Sequence, residues 1–274
     1  MKQSVFLLAS FGFAMATALP AAITPATAFD IKKAEKDGAS PVDAFRAGTR
    51  FYYAGKKTEA LSAFNFAAEK GHAGSQFALA RMYARGEGVS RDDLKAFEYY
   101  RQVARHSGGT YSPGSKQARF IAKAYVAIGG YYMTGIGDSD IRPDVAKARD
   151  IFRYAASYFG DPEAQFLLAR LYWNGKDAES DPALATRWFL SSARKGHLHA
   201  QATLGQALFY GEKNLERRPA HGLMWLSIAR MRAKRPKDDW IFDAQERAFG
   251  LANEKQRRKA MKFAKKWVRE HQDE

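Results

Sequence analysis

The feature that most constrains this chain is internal repetition. Gln76-Phe-Ala-Leu-Ala-Arg-Met-Tyr83 matches Gln165-Phe-Leu-Leu-Ala-Arg-Leu-Tyr172 in register at a separation of 89 residues. Gln201-Ala-Thr-Leu-Gly-Gln-Ala-Leu208 follows 36 residues after the second of these, and Tyr125-Val-Ala-Ile-Gly-Gly-Tyr-Tyr132 is a fourth copy. A unit of roughly 36 residues is one supersecondary element that cannot bury its apolar face alone, so its copies must stack.

The residues inside the copies say what the unit is. A large aliphatic is followed by a small residue in Leu79/Ala80, Ile128/Gly129, Leu168/Ala169 and Leu204/Gly205, and three positions on stands Tyr83, Tyr132, Tyr172 or Leu208. Spacings of three and four place these side chains on one helix face, and the small residue lets a neighbouring helix approach closely. Glycines then stop the first helix: Gly86 and Gly88, Gly135 and Gly137, Gly175, Gly211. A second helix carries Ala60/Phe64, Ala96/Tyr100, Ala148/Phe152 and Ala185/Phe189 at i, i+4. Ser40-Pro41, Asp161-Pro162 and Asp181-Pro182 read as an N-cap followed by a first-turn proline. The pattern predicts an all-α fold, an α-solenoid of about five antiparallel helix pairs starting near residues 43, 73, 122, 162 and 198.

The divisions follow from this. Residues 1–28 read as a signal peptide, 29–42 as a lead-in and 43–231 as the solenoid. A Gly/Ser/Pro-rich insertion lies near 107–116, and basic capping helices occupy 232–274. In the last helix, capped by Asn253, the residues Ala260, Met261, Ala264, Trp267 and Val268 form an apolar stripe opposite a strongly basic face. The N-terminal segment has Lys2, an uncharged apolar run from Val5 to Leu19, Pro20, and small residues at Ala26 and Ala28. These are the parts of a secretory signal cleaved near Ala28, before Phe29. A membrane anchor is the other reading, but a span needs about 20 apolar residues. Export to the periplasm with no remaining membrane span is the expectation.

The copies Ala-Gln-x-x-Leu-Ala/Gly-x-x-Tyr-x-x-Gly-x-Gly-Val, then Asp and Lys-Ala with an aromatic, resemble the Sel-like repeat, a relative of the tetratricopeptide repeat. The clearest copy is Gly74 to Arg105, with Gly86-Glu-Gly-Val89, Asp92 and Lys95-Ala96. Departures are Leu208 in place of the aromatic and His221 near the expected Lys. Taken whole, with its signal segment, its start Phe29-Asp-Ile-Lys-Lys, its insertion and its basic C-terminus, the chain resembles a family of periplasmic regulators of rhizobia and related alphaproteobacteria. That resemblance implies a negative regulator of exopolysaccharide synthesis. It also implies, as partner, the periplasmic domain of an inner-membrane sensor histidine kinase of a two-component system, with a periplasmic protease relieving the repression in acid.

Chemistry is sparse. The chain has no cysteine, which removes disulfides, thiolate metal sites and a Cys nucleophile. No catalytic constellation, metal site or cofactor site emerges, and the glycine pairs end helices rather than forming phosphate loops. The expectation is a protein that is not an enzyme, although a hydrolase is a rival. Formal net charge is +15, or +14 once Lys2 is removed. In an exported protein such charge points to an acidic partner, or simply to a soluble cap, rather than to nucleic acid. A polysaccharide- or peptidoglycan-binding module is the alternative. First helices line the concave face of such a stack, and their outward positions offer Arg81, Arg85, Arg170, Asn174, Gln206 and Tyr210 as partner-binding residues, or simply as solvated faces. His72, His106, His197 and His199 lie at turns, either as solvated turn residues or as proton sensors. The insertion either makes contacts, exposes a protease site, or acts as a spacer.

Overall fold

The computed structural model describes residues 38–105, 114–175 and 180–271. Among them are twelve α-helices, one 3-10 turn at Glu212–Asn214 and no strand. Ten helices form five antiparallel pairs: α1 (Pro41–Tyr53) with α2 (Lys57–Glu69), α3 (Ala73–Arg85) with α4 (Asp93–Arg105), α5 (Lys116–Thr134) with α6 (Val145–Tyr158), α7 (Pro162–Asn174) with α8 (Pro182–Arg194), and α9 (Leu198–Tyr210) with α10 (Pro219–Arg232). Two more follow, α11 (Asp239–Leu251) and α12 (Glu254–Glu270). From α1 to α11 each helix packs on the next, and α3 also touches α5 and α5 touches α7 across units. Phe45 of α1 reaches Gly74 of α3, and the Phe166 ring of α7 lies 6.1 Å from that of His199 on α9, so the first helices form one continuous wall.

The small-large pattern is the packing rule of each pair. A large buried side chain of the second helix, Phe64, Phe152 or Leu226, fills the notch that the small residue leaves on the first. A Cβ added at Gly48 would stand 2.6 Å from the Phe64 ring, one at Gly129 2.4 Å from Phe152, and one at Gly205 2.8 Å from Leu226. Ala60, Phe64, Ala96, Tyr100, Ala148, Phe152, Ala185 and Phe189 are all buried, as their spacing requires.

Two backbone devices repeat along the stack. The N–H groups of Asp92, Asp144 and Asp181 donate to the carbonyls of Tyr83, Tyr132 and Tyr172 at 3.0, 2.7 and 3.1 Å. Each bond closes the loop between the two helices of a pair. The same aspartates then cap the second helix through their carboxylates, which accept from the N–H of Lys95, Lys147 and Leu184. Between pairs, the buried amides of Gln76, Gln165 and Gln201 donate to the carbonyls of Ala68, Ala156 and Ala193 at 3.3, 3.2 and 3.0 Å. In these three repeats the opening glutamine thus ties the unit to the last turn of the preceding one.

Two details differ from the sequence reading. The first helix of the third pair starts at Lys116, capped by Ser115, ahead of the expected start near 122. The stripe on α12 runs through Ala260, Phe263, Ala264 and Trp267, while Met261 is exposed. Steps of three and four from Ala260 lead to Phe263 and Ala264, and Met261 is rotated away by one residue. Along its apolar side α12 lies on α10.

Candidate functional site

The histidines at the repeat junctions are built into the structure. His72 and His197 are N-caps: the N–H of Ser75 donates to His72 Nδ1, and the N–H of Ala200 to His197 Nδ1, both at 3.1 Å. Each ring lies on an aromatic of the preceding first helix, His72 on Phe45 and His197 on Phe166, with centroids 4.6 Å apart in both cases. They are therefore not turn residues in open water; the His197 side chain is only 13% exposed. An Nδ1 that accepts leaves the proton on Nε2, which in His197 donates to Glu163 at 2.9 Å. That bond holds the Glu163 carboxyl below its usual range, and burial lowers the pKa of His72.

His199 continues the chain of polar groups. Its ring is 6.0 Å from that of His197, and its Nε2 is 3.3 Å from Oδ1 of the buried Asp238. The Asp238 pKa is lowered chiefly by the bond from the Lys234 N–H, then by His199. Among the described residues, no group of three or more His, Asp or Glu is arranged to hold a metal ion. His106 and residues 107–113 of the insertion lie outside the described residues.

On the wall of first helices a groove of about 250 Å3 opens between α1, α3 and α5. Phe45, Phe64, Gly74, Phe77, Ala78 and Phe120 form its apolar surface, with Thr49, Tyr52, Tyr53, Arg81 and Lys123 also lining it. Of the six residues that the sequence offered as a binding face, this groove takes Arg81 alone. Arg85 is exposed and pairs with Glu87 at 3.6 Å, and Glu87 also accepts from the Tyr52 hydroxyl. Arg170 is exposed with its guanidinium 5.8 Å from the centre of the Phe166 ring, and Asn174 is exposed at the end of α7. Gln206 and Tyr210 are half-buried, Tyr210 packed on the C-terminal core and edge-on to Phe209. The six are spread over three pairs and make no single cluster. The aromatic floor was missed because Phe120 lies in the extra turns at the start of α5, outside the register of the repeats.

The family model for the Sel1 repeat matches residues 73–107, 122–157, 162–197 and 198–232. The chain belongs to the Sel1 repeat family. Its first pair, α1 and α2, precedes the matched Sel1 repeats yet shows the same Gly48-on-Phe64 notch. The chain is 39% identical to the "Exopolysaccharide production negative regulator" of Rhizobium leguminosarum bv. viciae, over 96% of this chain and 94% of that protein. It is 36% identical to the protein of the same name from Rhizobium meliloti, over 97% and 96%. Among solved structures, a Sel1 repeat protein from Oxalobacter formigenes aligns with a TM-score of 0.63 at 22% identity, covering 84% of this chain and 89% of that one. A protective antigen of uropathogenic Escherichia coli aligns with a TM-score of 0.55 at 21% identity, covering 87% and 55%. These two share the Sel1 solenoid fold. No helix among the described residues is long and apolar enough to cross a membrane.

Proposed function

We propose that this chain represses exopolysaccharide production by binding, through the wall of first helices, the periplasmic domain of an inner-membrane sensor histidine kinase and holding the kinase off. The observation that carries the regulatory reading is the similarity over nearly the whole length to two rhizobial proteins named as negative regulators of that process. The kinase follows from the family resemblance of the sequence. A stack of helix pairs suits the task, because its extended wall offers contact area without a catalytic centre. Arg81, Arg85, Arg170, Asn174, Gln206 and Tyr210 supply polar contacts along that wall. Export follows from the signal segment at 1–28, which lies outside the described residues.

Release in acid is the second part of the reading. His72, His106, His197 and His199 take up protons, and a periplasmic protease cuts the chain, first at the loop near 107–116. The N-cap role of His72 and His197 supports this, because a proton on Nδ1 removes the acceptor and places a positive charge at the positive end of a helix.

The test is co-purification of the mature chain with the kinase's periplasmic domain at neutral and acidic pH, alongside exopolysaccharide yield in a strain lacking the chain. Binding at neutral pH, loss in acid and a raised yield are expected. No binding at either pH sinks the kinase reading. An acid midpoint unmoved by replacing the four histidines with Gln sinks the proton-sensing reading.

A further inference from the structure

The groove between α1, α3 and α5 combines an aromatic floor with two cationic side chains. Its floor is aromatic: Phe77 lies 5.4 Å from Phe120 at a tilt of 38°. Gly74 keeps the floor open, since a Cβ there would crowd the Phe45 ring at 3.3 Å and the His72 ring at 3.0 Å. No carboxylate lines it. Arg46, Arg85 and Arg91 each have an acidic partner within 4 Å, whereas Arg81 and Lys123, which line the groove, have none among the described residues. Glu87, the acid that acts on Arg81 electrostatically, already accepts from Tyr52 and pairs with Arg85. Two cations without ion-pair partners beside an apolar slot are complementary to an apolar side chain flanked by carboxylates.

The shape selects among occupants. Neighbouring packed helices stand about 8–10 Å apart. Crossing three of them asks for an extended segment of about six residues at ~3.3 Å each. The two lining cations, with no carboxylate beside them, favour an acidic occupant over a neutral one. We propose that this groove seats an extended acidic segment of the partner protein, a bulky apolar side chain resting on Phe45, Phe77 and Phe120 and its carboxylates on Arg81 and Lys123. The inference rests on the concave-wall binding proposed above and narrows it to one end of the stack.

The experiment uses the mature full-length chain and fluorescein-labelled hexapeptides. One carries Phe and Leu among Asp and Glu; its twin has Asn and Gln in place of the acids. Anisotropy titrations are expected to show the acidic peptide binding at least tenfold tighter than its neutral twin, with affinity falling as salt rises. Arg81→Gln with Lys123→Gln removes that preference. Thr49→Trp, which fills the slot, abolishes binding. Arg187→Gln, an exposed cation on the second helix α8, leaves binding unchanged. Equal affinity for the two peptides, or full binding by the double variant, overturns the proposal. The same variants are carried through co-purification with the kinase domain. If the kinase domain binds the double variant as well as the unaltered chain, the groove assignment falls and the kinase reading stands. If the acidic peptide binds but the kinase domain does not, the reverse holds.

Discussion

Two adjacent glycines on α5 make the packing rule testable with one chemical change. Gly129 sits in the notch, where an added Cβ would lie 2.4 Å from the Phe152 ring; at Gly130 nothing stands within 4 Å. Phe152 is 1% exposed, so its ring has no free space to swing into. Alanine in a helix interior is favoured over glycine by about 1 kcal/mol, and both substitutions gain that term. Only Gly129→Ala meets the ring, an overpacking cost of about 1–3 kcal/mol. The gap between the two variants therefore isolates the contact. For a domain of this size each 1 kcal/mol shifts Tm by roughly 2–4 °C. Thermal melts followed by circular dichroism are expected to place Gly130→Ala above the unaltered protein and Gly129→Ala at least ~2 °C below Gly130→Ala. If the two variants melt together, or Gly129→Ala is the more stable, close approach at the small residue is not what holds the pairs.

Further outcomes follow from the junctions. His197→Ala is expected to cost about 1 kcal/mol of stability through the lost cap, while His197→Asn, an alternative cap, recovers most of it in urea titrations. Because burial lowers the His72 pKa, the unfolded chain takes up a proton more readily than the folded one. Stability from the neutral ring is then complete above about pH 6.5 and is lost as pH falls from there toward the lowered folded value. Melting temperatures between pH 7.5 and 5.5 are expected to fall less in His72→Asn than in the unaltered protein. Gln201 is wholly buried, so Gln201→Leu should lose about 1 kcal/mol with its bond to Ala193, whereas Gln201→Glu, which buries a charge, should lose several; equal losses in urea melts would contradict this.

The helix pairs were legible because their determinants are local. Ala60 and Phe64, or Asp161 before Pro162, declare a helix face and a helix start within a few residues. What lies between repeats was not legible in the same way. Gln76, Gln165 and Gln201 were visible as a recurring letter, but nothing in their spacing shows that each amide reaches a carbonyl eight or nine residues earlier. His72 and His197 occupy equivalent places in their repeats, yet histidine is an uncommon cap and nothing in its spacing marks the aromatic beneath it. The groove depended on Phe45, Phe77 and Phe120 from three different helices, and Phe120 falls outside the repeat pattern. Spacing reports which residues share a face; it does not report what the next unit brings to that face.

The last helix sets how long the stack is. A solenoid has no intrinsic end, since each pair is a template on which another could dock. Here α12 covers the apolar side of α10, and it carries eight Lys and Arg against two Glu. A second copy approaching that side would have to displace a packed helix and bring two strongly cationic surfaces together. We propose that this packing and charge keep the array finite. Lengthening it by duplication would work only if the new pair were inserted ahead of α11, so that the terminator moved outward with the end it closes.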